Sequence, residues 1–179
     1  MTRVGVGVAL AIAVIAVVSV LTGGNVTGGK YGPAAALVGH HLEKFALAGL
    51  NGGTVDAPWM SHRASVVIFF ASFCGPCQGE MPKIAAYIRI HNPSPVEVVA
   101  VDADDKRPAA QAMIKTDGVT FPVGYDPLGV VTSGIFGFVD VPESAFVNAR
   151  GVVTGVHFGA IPPKQLAAAI ALLGAKPAA

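Results

Sequence analysis

The chain has 179 residues, 53% of them hydrophobic and 13% charged, with a formal net charge of +1 at pH 7. This length provides one domain with a full hydrophobic core and one short accessory segment. The near-neutral charge excludes the basic surface typical of nucleic-acid-binding proteins, so we expect no nucleic-acid partner.

The N-terminal segment contains an apolar run long enough to cross a membrane. Residues 4–21 are 18 consecutive uncharged residues after Arg3, and a helix of about 20 apolar residues spans the hydrocarbon layer. A cleaved signal peptide usually has a shorter apolar stretch and a small-residue cleavage site. We therefore predict a transmembrane anchor at residues 1–21, with the rest of the chain outside the cell membrane. The alternative is a cleaved signal peptide and a secreted protein.

A linker and a hairpin are predicted next. Residues 22–39 are rich in glycine and small residues without an apolar period, which is typical of a flexible linker. The folded domain is then predicted at residues 40–175. At its start, the segment Phe45–Val55 alternates toward a glycine-rich turn and predicts a small hairpin.

The rest of the domain alternates between strands and helices. The β-branched and aromatic run Val66–Phe70 predicts a strand buried on both faces. In chain order, the later predictions are a helix (Pro76–Ile90), a strand (Val96–Val101), a helix (Pro108–Lys115), an extended piece (Val119–Val123), a short helix (Val130–Phe136), two strands (Ala145–Val147 and Val152–Phe158) and a final helix (Pro163–Leu173). This order predicts an α/β sandwich with a central mixed sheet.

The two cysteines of the chain, Cys74 and Cys77, flank Gly75 and Pro76 directly after the first buried strand. The stabilisation from a disulfide grows with the loop that it closes, so a bridge this short contributes little to the fold. The pair therefore indicates thiol-disulfide exchange. A zinc or copper site that includes a histidine such as His157 is the alternative, although such a site needs further ligands at recognisable spacing.

Cys74 is the predicted nucleophile. Its position between a buried strand and a helix places its sulfur at the helix N-terminus, where unpaired amides and the helix dipole favour the thiolate. Cys77, one turn further along, would be less exposed and would resolve the mixed disulfide. Pro76 suits the first helical turn, and Gly75 leaves room for a partner's backbone to approach.

The segment Val66–Pro82, VVIFFASFCGPCQGEMP, resembles the active-site segment of thioredoxin-fold proteins. It is most similar to that of the membrane-tethered TlpA, ResA and DsbE/CcmG group of extracytoplasmic thiol-disulfide oxidoreductases. The resemblance covers about Phe45–Leu173, and the motifs at residues 119–123 and 136–147 follow in the family's order. It implies a thioredoxin-like three-layer sandwich with an N-terminal hairpin extension and one N-terminal transmembrane helix.

The resemblance also implies a substrate-binding surface around the cysteines, to which Gly75 and Pro76 belong. Pro142 matches the family's cis proline, although an X-Pro bond is usually trans, and would leave the carbonyl and amide of Val141 free for an extended partner strand. Phe73 replaces the usual tryptophan and keeps its apolar contact. Glu143 matches the acid of a Pro-Glu pair and would influence substrate choice through its charge, with a solvated loop residue as the alternative.

Glu80 is the predicted proton carrier. In ordinary thioredoxins an aspartate in the strand before the cysteines assists proton transfer, but Ile68 occupies that position here. Glu80 matches a glutamate of the TlpA and ResA group and lies one helical turn beyond Cys77, whose proton it could accept or return. An exposed helix glutamate is the alternative.

The resemblance implies a reductant in cytochrome c maturation. Its partners would be exported proteins with disulfides, including apocytochrome c, and a membrane thiol carrier would supply electrons. No cofactor or metal is expected beyond the cysteine pair. Because related CxxC proteins span about −270 to about −120 mV, an oxidant that forms disulfides in exported proteins remains the alternative. A metal-binding module and a peroxidase are weaker ones.

Overall fold

The computed structural model describes residues 36–175, in which seven strands and three helices are numbered here in chain order. The strands are β1 (Ala46–Ala48), β2 (Thr54–Asp56), β3 (Ser65–Phe70), β4 (Glu97–Ala103), β5 (Val123–Asp126), β6 (Glu143–Val147) and β7 (Val153–Phe158). The helices are α1 (Gly75–His91), α2 (Arg107–Thr116) and α3 (Pro163–Gly174). A short 3-10 helix, Pro58–Ser61, lies between β2 and β3.

A five-stranded mixed sheet with the order β5-β4-β3-β6-β7 forms the centre of the domain. β3 pairs in parallel with β4 and antiparallel with β6, so it occupies the middle of the sheet. Every residue of β3 is buried, as expected for a strand covered on both faces. The predicted α/β fold with a mixed sheet is confirmed.

The side chains of β3 alternate between two hydrophobic cores. Val66, Ile68 and Phe70 belong to the core that contains the buried residues of all three helices. Val67 and Phe69 belong to a second core on the opposite face, which is rich in aromatic rings. The ring centroid of Phe69 lies 4.8 Å from those of both aromatic residues that follow the turns after β5, Phe136 and Phe138.

The predicted hairpin is present and covers one edge of the sheet. The Leu50 N–H at its turn donates to the carbonyl of Val123 at 2.8 Å, and Gly49 forms a bridge with Gly124 of β5. A side chain at Gly124 would overlap Leu47 of the hairpin, since an added Cβ would lie 2.8 Å from its Cδ1. Glycine therefore permits the close approach of the hairpin to β5.

The predicted short helix at Val130–Phe136 is wrong, because this segment forms successive turns without a regular helix. Its N–H groups bond to carbonyls four or five residues back, as in Ser133 and Gly134, which both donate to Gly129. The Asp126 carboxylate accepts three bonds from this segment, which diverts its amides from the helical pattern.

Two predicted strands differ from the observed ones. The extended piece was predicted at Val119–Val123, whereas the observed strand β5 begins only at Val123. Pro122, directly before it, has no N–H to donate to a neighbouring strand. β4 continues beyond the predicted end at Val101 through Asp102 to Ala103, where it still pairs with β5. This extension places a carboxyl group inside the sheet.

The boundaries predicted for the N-terminal part lie mostly outside the described residues. This holds for the anchor at residues 1–21 and for residues 22–35 of the linker. Residues 36–39, the end of the predicted linker, contact the domain, since the Gly39 N–H donates to the carbonyl of Val153 at 2.8 Å. Within residues 36–175, no helix combines the length and apolar character needed to cross a membrane.

Candidate active site

Cys74 and Cys77 form a disulfide at the N-terminus of α1. Cys74 is the N-cap residue, and its sulfur accepts a hydrogen bond from the Cys77 backbone N–H at 3.2 Å. An amide in the first helical turn has no carbonyl acceptor within the helix, and the sulfur of Cys74 takes that place for the Cys77 N–H. In the reduced protein the same amide and the helix dipole favour the thiolate of Cys74.

The surroundings of the two sulfurs are unequal, as the predicted division of labour requires. Cys74 is 8% exposed, whereas Cys77 is 1% exposed. Gly75 and Pro76 are exposed, and Phe73 presents 67% of its surface to solvent. A partner therefore reaches Cys74 past the exposed Phe73, Gly75 and Pro76, and Cys77 is the less accessible of the two sulfurs.

The loop before β6 lies against the disulfide. The peptide bond between Val141 and Pro142 is cis, as the resemblance implies, and the sulfur of Cys74 lies 3.5 Å from the carbonyl oxygen of Val141. The predicted free amide of Val141 is wrong for the unbound protein, because this N–H donates to Oδ1 of Asp140 at 2.8 Å. An exposed amide beside an aspartate is readily satisfied by that side chain.

Glu80 is buried, so the alternative of an exposed helix residue is wrong. The side chain is 3% exposed, and its Oε1 accepts the N–H of Ile161 at 2.6 Å. Burial raises the pKa of Glu80 to about 7, against the lowering effects of the Ile161 bond and the charge of Lys83. A carboxyl group with this pKa gains and loses protons near neutral pH, as a proton carrier for Cys77 requires.

Glu143 is also buried rather than solvated. It is 6% exposed and opens β6 between Phe69 of β3 and Phe158 of β7. Burial raises its pKa to about 7, and the negative charge of Asp140 adds to the effect. The side chain therefore titrates near neutral pH beside the cis proline, and any influence on substrate choice depends on pH.

Sequence reasoning missed Asp102, which lies fully buried in β4. Neither of its carboxyl oxygens accepts a hydrogen bond from any described residue. Burial raises its pKa to about 8, and the negative charge of the neighbouring Asp105 raises it further. The Asp102 carboxyl group therefore stays protonated near neutral pH beside Asp105.

Asp105 connects this acid pair to the cysteine loop. Its carboxylate accepts the N–H of Ser72, two residues before Cys74, and that of Lys106. Although burial opposes it, these bonds lower the pKa of Asp105. The signal that could have revealed Asp102 is its place directly after the apolar run Val98–Val101, where it continues the strand.

The arrangement gives no support to the metal-binding alternative. Within the described part of the chain, no group of three or more His, Cys, Asp or Glu side chains could hold a metal ion. The Nε2 atom of His157, the histidine named as an example of a third ligand, lies 3.3 Å from the carbonyl oxygen of Ala160.

Two relatives of the chain are named as thiol-disulfide oxidoreductases. The chain is 24% identical over 149 residues to the thiol-disulfide oxidoreductase ResA of Halalkalibacterium halodurans, which covers 83% of this chain and 84% of that protein. It is 26% identical over 129 residues to ResA of Bacillus thuringiensis, which covers 72% of this chain and 74% of that protein.

Solved structures and a family model agree with this relationship. A putative thiol:disulfide interchange protein DsbE from Chlorobium tepidum superposes with a TM-score of 0.67 at 28% identity, over 76% of this chain and 96% of that chain. DsbF of MTB gives a TM-score of 0.65 at 28% identity, over 72% and 94%. The fold is therefore thioredoxin-like, and the Redoxin family model matches residues 29–171. The chain belongs to the Redoxin family and is a thiol-disulfide oxidoreductase of the ResA and DsbE type.

Proposed function

We propose that this protein is an extracytoplasmic reductant that reduces disulfides of exported proteins and serves cytochrome c maturation. The observation that carries the proposal is the contact between the two parts of the site. The disulfide at the start of α1 lies 3.5 Å from the backbone of the cis-proline loop. The resemblance to the TlpA, ResA and DsbE/CcmG group supports the direction of transfer and the apocytochrome c substrate.

The reaction begins with the reduced protein. The Cys74 thiolate attacks one sulfur of a partner disulfide, forms a mixed disulfide and releases the other partner sulfur as a thiolate. Cys77 then loses its proton, attacks the sulfur of Cys74 and releases the second partner thiolate. The partner gains two electrons, and the protein ends with the Cys74–Cys77 disulfide. Glu80, with a pKa of about 7, is the carboxyl group that takes the proton of Cys77.

The surface around Cys74 supports a protein partner rather than a small metabolite. Phe73 is 67% exposed beside the disulfide, and the backbone of Val141 can pair with an extended segment once Asp140 releases its amide. Both features suit a polypeptide that lies across the site.

The N-terminal sequence supports the proposed location. The apolar run at residues 4–21 is long enough for a membrane anchor, and an anchored domain can receive electrons from a thiol carrier in the same membrane. In an oxidising compartment the partner disulfides would persist until they are reduced.

Trapping of mixed disulfides tests the proposed partners. Cys77→Ser leaves Cys74 able to attack but removes the residue that releases the partner, so covalent complexes should accumulate in cells. Mass spectrometry should identify apocytochromes c among them, and Cys74→Ser should capture none. If Cys77→Ser captures no partner, exchange by Cys74 is ruled out, and if it captures only other exported proteins, the cytochrome assignment is wrong.

Redox titration against glutathione and dithiothreitol tests the direction. A reductant should titrate toward the thioredoxin end of the range, about −270 mV, whereas a potential near about −120 mV would establish the oxidant instead.

A further inference from the structure

A groove of about 300 Å³ lies beside the disulfide. Its walls include Phe73, next to Cys74, and Val141, whose carbonyl contacts the sulfur of Cys74. The segment after the turns that follow β5 supplies Phe138, Val139 and Asp140. The groove therefore lies next to the reacting sulfur, between Phe73 and the segment that leads to the cis proline.

The apolar part of the groove is unusually exposed. Phe73 presents 67% and Val139 presents 79% of its surface to solvent. Large exposed apolar side chains that cluster at a groove are typical of an interaction site. Phe73 and Val139 offer a contact surface for an apolar side chain of a bound segment.

The charged part of the groove has one sign. Asp104 and Asp140 both line it, and none of the described residues that line it is a lysine, arginine or histidine. Both aspartates are exposed, so they can reach a bound partner without a cost of burial. Charge complementarity favours a cationic side chain on that partner.

Asp140 also occupies the place of a partner's backbone. Its Oδ1 accepts the Val141 N–H at 2.8 Å, and a partner strand would use its own carbonyl to accept this same N–H. When the partner carbonyl replaces Oδ1, the Asp140 carboxylate becomes available for another interaction. A cation on the partner would supply it.

We propose that the groove selects partners in which a lysine or arginine and an apolar residue flank the cysteine that is attacked. The apolar side chain packs against Phe73 and Val139, and the cation pairs with Asp104 and Asp140. This inference rests on the proposed function of the same site, whose substrate it narrows to basic, extended segments.

Model peptides test the preference directly. Three peptides with one internal disulfide differ only at the residues next to the cysteines, which are lysine, glutamine or glutamate. Reduced wild-type protein should reduce the lysine peptide about tenfold faster than the glutamate peptide at low salt, as in other electrostatically steered reactions. The difference should shrink as the salt concentration rises, since exposed charges are screened.

Matched variants identify the groups that are responsible. The double variant Asp104→Asn, Asp140→Asn should react equally with the three peptides. Asp56→Asn removes an exposed aspartate of β2 that does not line the groove and should keep the preference. Asp140→Ala should also accelerate reduction of the glutamine peptide, because it frees the Val141 N–H, whereas Asp140→Asn retains an acceptor for it.

The outcomes separate this inference from the function on which it rests. Equal rates for all three peptides with the wild type, or a preference that survives in the double variant, would overturn the groove assignment and leave thiol-disulfide exchange intact. Failure to reduce any peptide would overturn both.

Discussion

At the residue scale, Glu80 combines a structural contact with the proposed proton transfer, and two substitutions can separate them. Its Oε1 holds the N–H of Ile161 in the loop before α3, and its pKa of about 7 suits proton exchange with Cys77. Glutamine can still accept the Ile161 bond but cannot carry the proton. Alanine can do neither.

We expect Glu80→Gln to slow the release of the partner by about 100-fold, the lower range of general acid-base effects. The pH profile of that step should lose its inflection near 7, the pKa of the wild-type carboxyl group. Rapid quenching of a preformed Cys74 mixed disulfide at several pH values measures this. An unchanged profile would assign Glu80 a purely structural role.

Glu80→Ala should add a loss of stability to this kinetic defect. It leaves the buried Ile161 amide without its acceptor, at a cost of about 1–3 kcal/mol in the free energy of unfolding. Urea denaturation of the oxidised proteins should rank alanine well below glutamine. Equal stabilities would show that another group satisfies this amide.

Gly75 offers a test of partner approach that leaves the free protein intact. A Cβ at Gly75 would have no heavy atom within 4 Å, and the same holds for Gly79 in the next turn of α1. Gly75→Ala should therefore slow reduction of a protein substrate such as insulin severalfold and leave reaction with dithiothreitol unchanged. Gly79→Ala should change neither rate, and equal rates for both variants would show that partners do not approach Gly75.

At the element scale, the turns between β5 and β6 depend on one buried carboxylate. Asp126 is 1% exposed and accepts the N–H groups of Val131 and Thr132 and the Thr132 hydroxyl, at 2.8 to 3.1 Å. These turns lead directly to Phe136 and Phe138 of the second core. Their shape, and that of the groove beside the disulfide, is therefore set by Asp126.

We expect Asp126→Ala to lower the free energy of unfolding by more than about 3 kcal/mol, because it leaves buried donors unpaired. Thr132→Val removes only the hydroxyl bond and should cost about 1 kcal/mol. Urea denaturation compares the two variants. Similar losses would mean that the backbone bonds to Asp126 contribute little.

These elements show which parts of the fold could be predicted from the sequence. The strand β3 was predictable because a strand covered on both faces is a continuous run of apolar residues. The cysteine pair was informative because it lies directly after this run. The turns at Val130–Phe136 were mistaken for a helix although β-branched residues and Gly134 are poor helix formers. The bonds from Val131 and Thr132 to Asp126 further divert the backbone from a helix. Asp102 was missed because a polar residue within a strand normally marks its end, and only pairing with β5 shows that β4 continues.

The active site was predictable to a similar depth. Cys74, Cys77 and Glu80 follow from local spacing and the family resemblance. The capping of the Val141 amide by Asp140 depends on the conformation of the loop. The burial of Asp102 depends on the pairing of β4 with β5, and neither is encoded in spacing or composition.

At the scale of the whole molecule, three buried carboxyl groups make stability depend on pH. The folded protein raises the pKa values of Glu80 and Glu143 to about 7 and that of Asp102 to about 8, from ordinary values of 4.5 for glutamate and 3.8 for aspartate. Above about pH 5 the unfolded chain has released these protons, while the folded protein still holds them. Since the folded state binds more protons, its stability falls as the pH rises.

We expect the urea midpoint of the oxidised protein to be higher at pH 5.5 than at pH 8. As the pH rises toward the folded pKa of such a group, the free energy of unfolding falls by about 1.4 kcal/mol per pH unit for that group. Asp102→Asn should flatten the dependence and stabilise the protein most at pH 8. A midpoint that rises from pH 5.5 to pH 8 would contradict the raised pKa values.

The hairpin of β1 and β2 has a consequence for the proposed function, in which the clients are unfolded chains. An unfolded polypeptide readily adds to an open sheet edge and can seed co-aggregation there. In this protein the hairpin bonds to β5 through Leu50 and Val123, so a client cannot join the sheet at that side. Covering this edge removes one competing place of pairing for the proposed clients, so more encounters take place at the cysteine loop, where Cys74 can attack.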